Sequence, residues 1–171
     1  MDGDRNTSRP SDSARWDLNG HPVGAGRWER MRQRLSGRGS GGAPLGVDDA
    51  DLIVVAESDD ETVASSAVLD ESAWRAGDDV VLRHMLRVPA AQADDAVATA
   101  ALDGYQRLDD DALGRTVAGG ADDTVVVVLA RRQTLDAMHL SQERSRMAGL
   151  GARHGGTVLR WQVLQRPEAR R

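Results

Sequence analysis

The clearest pattern of apolar and polar positions along this chain begins at Val80. Side chains at 80–88 alternate between two sets, which predicts a β-strand with two distinct faces. One face carries Val80, Leu82, His84, Leu86 and Val88, and the other carries Val81, Arg83, Met85 and Arg87. The β-branched run at 125–130 predicts a second strand, buried in the centre of a sheet.

Two helices are predicted between these strands. The first is expected over 90–103, and Gly104 is expected to end it in a left-handed conformation. The second is expected to begin at an N-cap, Thr134, and to end near His154. The pair Gly155-Gly156 follows as a helix stop.

Shorter apolar segments complete the predicted fold. Strands are expected at 105–108 and 158–164, either an edge strand or a short helix at 52–56, and a helix within 62–74. The order of strand, helix, short strand, strand, helix and strand predicts an α+β fold. Its expected form is a ferredoxin-like split βαβ sandwich, in which two helices cover one face of a four-stranded antiparallel sheet.

The start of the chain differs in composition from the rest. Residues 1–46 are expected to form a disordered Arg/Gly-rich arm and linker, followed by the domain at 47–165 and a flexible tail at 166–171. The arm has a net charge of +3 and the remainder −8, within a chain of net charge −5. An acidic domain argues against a grip on nucleic acid through its phosphates, so only the arm stays a candidate for that contact.

The arm contains a short basic segment, 27–38, with an apolar stripe at helical spacing. Three interpretations stay open: a solvated linker, a helix that folds onto an acidic protein or this chain's own acidic domain, and contact with RNA. All 22 basic residues are arginine, so arginine also stands where other proteins have a surface lysine. Each arginine is therefore weaker evidence for a specific contact. The candidate interaction residues of the arm are Trp28, Arg30, Arg32 and Arg34.

Several classes of function lack their sequence signals. The chain has no cysteine, which excludes disulfides, thiolate metal sites and cysteine nucleophiles. It has no phosphate-binding loop and no nucleophile elbow, so no catalytic set, cofactor or metal is expected. The longest apolar run, 125–130, is too short to span a bilayer, and no apolar leader is found. A cytoplasmic location is therefore expected.

Two polar residues on apolar faces are candidate ligand contacts. His84 is expected to be a partly buried, hydrogen-bonded histidine, with a ligand or general base as the alternative. Arg144 lies in the middle of the apolar face of the second helix. If the predicted helical register is correct, three alternatives are open for its side chain. It extends to solvent at the edge of the sheet, pairs with a carboxylate between helix and sheet, or holds an anionic ligand there. His139 and Glu143 could bind a divalent ion, but solvated helix surface is favoured.

Two local motifs point to a known family. The residues Leu-Asp-Gly-Tyr at 102–105 precede the long central strand, and a helix that ends on Gly155-Gly156 is followed by a strand with Trp161. This stretch, about residues 80–164, resembles the RraB-like family of ribonuclease E inhibitors. That family typically has Tyr-Asp-Gly-Trp where this chain has Val-Leu-Arg-Trp at 158–161. The resemblance implies a ferredoxin-like architecture and a protein partner in RNA processing.

Three functions are carried forward. The first is a non-enzymatic regulatory protein that contacts a protein partner, and an open sheet face is expected to support a homodimer through Trp161, Val81 and Met85. The second is a small-molecule sensor whose polar anchors are Arg144 and His84. The third, and least favoured, is a metal-assisted hydrolase that uses His84, His139 and Glu143.

Overall fold

The structure is a computed structural model that describes residues 44–109 and 123–168. These residues belong to one compact unit, Pro44–Arg171. The predictions for the arm, including Trp28, Arg30, Arg32 and Arg34, lie outside the described residues. Among the helices that the structure describes, none is long and apolar enough to cross a membrane.

Five strands and three α-helices form the described part of the chain. The strands are β1 (Ile53–Ser58), β2 (Val80–Pro89), β3 (Gln106–Leu108), β4 (Thr124–Gln133) and β5 (Thr157–Gln165). The helices are α1 (Ser65–Asp70), α2 (Ala93–Leu102) and α3 (Ala137–Arg153). A short 3₁₀ turn, Ala90–Gln92, leads into α2.

All five strands lie in one antiparallel sheet, with the order β1-β5-β2-β4-β3. The α+β class is confirmed, but the expectation of four strands is wrong. The apolar run after Leu52 forms β1, because β5 offers it a free edge for backbone pairing. Of the two alternatives for this run, the edge strand is therefore correct.

Helices α2 and α3 pack on the same face of the sheet, which we call the covered face. Residues at alternate positions of β2 meet both helices there, as the period of two predicts. The buried residues of this core include Leu82, Leu86, Val88, Ala93, Ala100, Leu140, Met147 and Leu150. On the opposite face, Val81, Ala130 and Leu164 pack with Val47 from the segment before β1.

The helix boundaries differ from the predicted ones at three places. The N-cap of α3 is Asp136, whose carboxylate accepts a 2.7 Å hydrogen bond from the His139 backbone N–H, so Thr134 is not the cap. This N–H also lowers the pKa of Asp136. The helix expected within 62–74 is limited to α1, since Thr62 hydrogen-bonds to the Asp60 side chain in a turn. The first helix begins later than expected, at Ala93.

The turn from α3 into β5 explains both of its glycines. Gly155 has a φ of 68°, which favours a residue without Cβ. At Gly156 a Cβ would lie 2.1 Å from the carbonyl oxygen of Arg87, so only glycine lets this backbone approach β2. The predicted helix stop is confirmed, and the fold itself requires the glycine pair. Gly104, with a φ of 81°, ends α2 as predicted.

Candidate functional site

Three of the candidate residues meet on the covered face. His84 and Trp161 are register partners on β2 and β5, and the Arg144 guanidinium lies 5.6 Å from the centre of the Trp161 ring. We call these three residues the Arg144 cluster. The prediction that placed Trp161 on an open face with Val81 and Met85 is wrong, because the register puts Trp161 beside His84 and packs it into the core below α3.

Arg144 of α3 is hydrogen-bonded to the loop that precedes α1. Its Nη1 donates to the Val63 carbonyl at 2.7 Å and to the Ser65 hydroxyl at 3.0 Å. Its Nη2 donates to the carbonyls of Asp60 and Glu61 at 3.2 and 3.0 Å. These acceptors are neutral carbonyl and hydroxyl oxygens, so the alternative in which Arg144 pairs with a carboxylate between the layers is not observed among the described residues. Every residue of this loop, 59–64, is exposed to solvent.

The other two members of the cluster contain buried nitrogen atoms without hydrogen-bond partners. His84 is 0% exposed, and neither Nδ1 nor Nε2 has a partner; Nε1 of Trp161, a residue 3% exposed, has none either. The expectation of a hydrogen-bonded histidine is therefore wrong. Burial and, to a smaller extent, the positive charges of Arg131 and Arg144 together lower the pKa of His84 to about 3. The imidazole is thus neutral, and unpaired buried polar groups of this kind call for an explanation.

An open groove lies beside this cluster. It has a volume of about 570 Å³ and runs between residues 58–66, the outer side of α3 and the start of β5. Its apolar wall consists of Ala137, Met138, Ala148, Val158, Leu159 and Trp161. Its polar groups include Arg144, Arg160 and the acidic side chains at 59–61. This volume is in the range of small-molecule sites, which are mostly apolar with a few convergent polar groups.

The two arginines of the groove differ in their partners. Arg160 makes ion pairs with Glu57 and Asp59, at 3.3 and 3.4 Å. Arg144 instead binds neutral oxygens and the face of Trp161. The positive charge of Arg160 is therefore balanced by carboxylates, whereas the hydrogen-bond acceptors of Arg144 carry no charge.

A second polar cluster lies further along the same face and was missed by the sequence analysis. The Tyr105 hydroxyl donates to Oε2 of Glu143 at 2.7 Å, and Nη2 of Arg131 lies 2.8 Å from Oε1. The Arg131 guanidinium also stacks over the Tyr105 ring, 4.8 Å from its centre. Burial, and then the charge of Glu143, raise the pKa of Tyr105. We call these three residues the Glu143 cluster.

The candidate metal pair does not share a site. His139 Nδ1 lies 2.8 Å from the Asp136 carboxylate at the start of α3, whereas Glu143 is buried against Arg131 and Tyr105. Within 44–109 and 123–168, no group of three or more histidine or acidic residues could hold a metal ion. His84, His139 and Glu143 are therefore not assembled as a metal site.

Comparison with family models, with curated proteins and with solved structures gives no match. The resemblance to ribonuclease E inhibitors stays a prediction. One of its two motifs has a purely structural reason, because the backbone geometry requires glycine at both Gly155 and Gly156.

Proposed function

We propose that this chain is a non-enzymatic regulatory protein whose domain binds a small molecule in the groove between residues 58–66 and α3. The observation that carries the proposal is the position of the groove beside the Arg144 cluster. Both polar anchors expected from the sequence, Arg144 and His84, lie in this cluster. The proposed output is contact with a protein partner in RNA processing, which the family resemblance implies.

The topology supports a ligand-binding role by analogy. Strands β5, β2, β4 and β3 with helices α2 and α3 follow the order of a split βαβ sandwich, and β1 extends the sheet at one edge. We assign this part to the ferredoxin-like architecture. Sandwiches of this type often bind ligands next to the sheet, although the fold alone fixes no function.

The electrostatics of the cluster favour binding over proton transfer. A general base needs a pKa near the working pH. The pKa of His84, about 3, is too low for that role. Glu143, the carboxylate nearest in the chain to Arg144, is already held by Arg131 and Tyr105. The Arg144 cluster can therefore orient a ligand without exchanging protons with it.

The test is a thermal-shift screen of the full chain against a metabolite library, with two alanines of α3 as a matched pair. Ala148 lines the groove, and Ala152 is also exposed on α3 but lies outside it. We expect ligands that raise the melting temperature of the wild type and of Ala152→Trp but not that of Ala148→Trp. A library without effect, or equal responses from both variants, would contradict the proposal.

A further inference from the structure

We propose that the ligand of this groove is a small organic monocarboxylate, and that Arg144 exchanges the oxygens of the 60–65 segment for the carboxylate when it binds. This inference rests on the proposed function, because it names the ligand class of the same groove. It adds a consequence for the protein, the release of an exposed loop.

The groove and the interior behind it contain hydrogen-bond donors without acceptors. Trp161 lines the groove, and its Nε1–H is a buried donor without an acceptor. Its register partner His84, which does not line the groove, is neutral and also carries one N–H without a partner. Arg144 covers the Trp161 ring with a guanidinium group whose present acceptors are all neutral. A ligand with negatively charged acceptor oxygens would make stronger hydrogen bonds to the guanidinium than these neutral oxygens do.

The electrostatic potential behind the groove is positive. Arg131 and Arg144 both contribute to the depressed pKa of His84, so the potential at the buried imidazole is positive. Acidic side chains stand at the exposed rim, at 59–61. The positive interior behind the groove therefore favours an anion, while the acidic rim disfavours one with more than a single charge.

The groove combines a cation with apolar surface. Arg160 is already paired with two carboxylates, whereas Arg144 makes no ion pair within 4 Å among the described residues and interacts with the exposed Asp60 carboxylate only at longer range. Four apolar residues line the same groove: Ala137, Ala148, Val158 and Leu159. A single negative charge on an apolar body fits this surface, whereas inorganic phosphate would leave the apolar wall in contact with water.

The coupling to the loop follows from the atoms that are shared. Nη1 and Nη2 of Arg144 are the nitrogens that hold Val63, Ser65, Asp60 and Glu61. A carboxylate bound through both nitrogens needs the same donors, so the ligand and the loop compete for them. Because residues 59–64 are exposed, they bury little apolar surface that would hold them in place after release.

The experiment uses the full chain, hexanoate as the probe, and hexanamide and inorganic phosphate as comparisons. Loop release is measured as the rate of cleavage after Glu61 by a glutamate-specific protease, with cleavage after the exposed Glu71 as the internal reference. We expect millimolar hexanoate to bind and to raise the cleavage rate at Glu61 about threefold or more without changing that at Glu71. Hexanamide and phosphate should have no such effect.

Variants of α3 complete the test. Arg144→Lys keeps the charge but not the two-nitrogen geometry, and we expect about tenfold weaker hexanoate binding and faster cleavage at Glu61 without ligand. Arg153→Lys, at the exposed end of the same helix, is the control and should behave as the wild type. If Arg144→Lys does not fold, Ser65→Ala removes one of the four acceptors and should show a smaller increase in cleavage.

Three results would overturn the inference: no binding of hexanoate at millimolar concentration, equal binding of hexanamide, or an unchanged rate at Glu61 when hexanoate is saturating. A different ligand whose binding is abolished by Ala148→Trp would leave the proposed function intact and refute only the ligand class assigned to it. If no compound binds in a way that depends on Ala148, both proposals fail.

Discussion

The Glu143 cluster and the Arg144 cluster lie under the same helix, built on neighbouring residues, but their polar atoms are paired to different extents. Both carboxylate oxygens of Glu143 have charged or hydroxyl donors, and its side chain is 8% exposed. Beside it, Arg146 is paired with Asp103 at 2.9 Å, so charges of both signs balance in this region. In the Arg144 cluster, by contrast, the nitrogens of His84 and Trp161 have no partner.

The difference separates a structural network from a candidate binding site. Buried polar groups that satisfy one another fix the packing of the elements that carry them, here α3, β4 and the end of α2. Unsatisfied polar groups next to a cavity cost stability unless another molecule pairs with them. We therefore expect the Glu143 cluster to determine stability and the Arg144 cluster to determine binding.

The largest expected effect is the loss of the Glu143 carboxylate. Glu143→Ala leaves Arg131 without its counter-ion and the Tyr105 hydroxyl without its acceptor. We expect the free energy of unfolding to fall by about 3 kcal/mol, the lower part of the range for breaking a buried ion pair, because Arg131 is still 20% exposed. Urea unfolding followed by circular dichroism measures it.

A conservative variant is the control for this prediction. Tyr105→Phe removes one hydrogen bond but keeps the ion pair and the ring, so we expect a smaller loss of about 1.5 kcal/mol. Equal losses in the two variants would mean that the ion pair with Arg131 contributes nothing.

The second prediction concerns pH and His84, the member of the Arg144 cluster whose ring is also close to Tyr105 of the Glu143 cluster. The ring is 5.9 Å from that of Tyr105 and shares a register position with Trp161. Its pKa is about 3 in the folded protein and 6.5 in the unfolded chain, so between these values the unfolded chain binds more protons. The contribution of a neutral His84 to stability is therefore complete above pH 6.5 and decreases as the pH falls toward 3.

The measurement is the free energy of unfolding of the wild type and of His84→Leu at several pH values between 7 and 4. Below pH 6.5 the wild type should lose up to about 1.4 kcal/mol per pH unit more than the variant does. The carboxylates titrate in both proteins and cancel in the comparison. Parallel curves would show that His84 does not stay neutral when the protein is folded.

Short-range signals allowed much of the fold to be predicted. The alternation at 80–88 identified both faces of β2, and the glycines at 104 and 155–156 marked the ends of helices, because their backbone conformations are local properties. For the segment that forms β1, strand and short helix were both left as alternatives, since the apolar run after Leu52 is as short as a helical turn. Its pairing with β5 depends on a residue far along the chain, Gln165, which is the register partner of Ile53.

The two clusters required tertiary information that the sequence does not display. Tyr105 and Glu143 are 38 residues apart, and no spacing rule connects them. Three of the acceptors of Arg144 are backbone carbonyls, which every residue has. The face of Trp161 was assigned wrongly because alternation within β5 shows which of its residues share a face, but only the pairing of Trp161 with His84 on β2 shows that this is the face under the helices.

The smallest expected effect is that of Arg144 on stability. Arg144→Gln removes hydrogen bonds to an exposed loop and leaves no buried charge unpaired, so the free energy of unfolding should fall by only about 1 kcal/mol. If the two clusters are separate networks, the double variant with Glu143→Ala should lose the sum of the single losses to within about 0.5 kcal/mol. A coupling clearly above that value would show that the two clusters are energetically connected. The division into a stability network and a binding site would then be wrong, because ligand binding at Arg144 would also change the strength of the Glu143 ion pair.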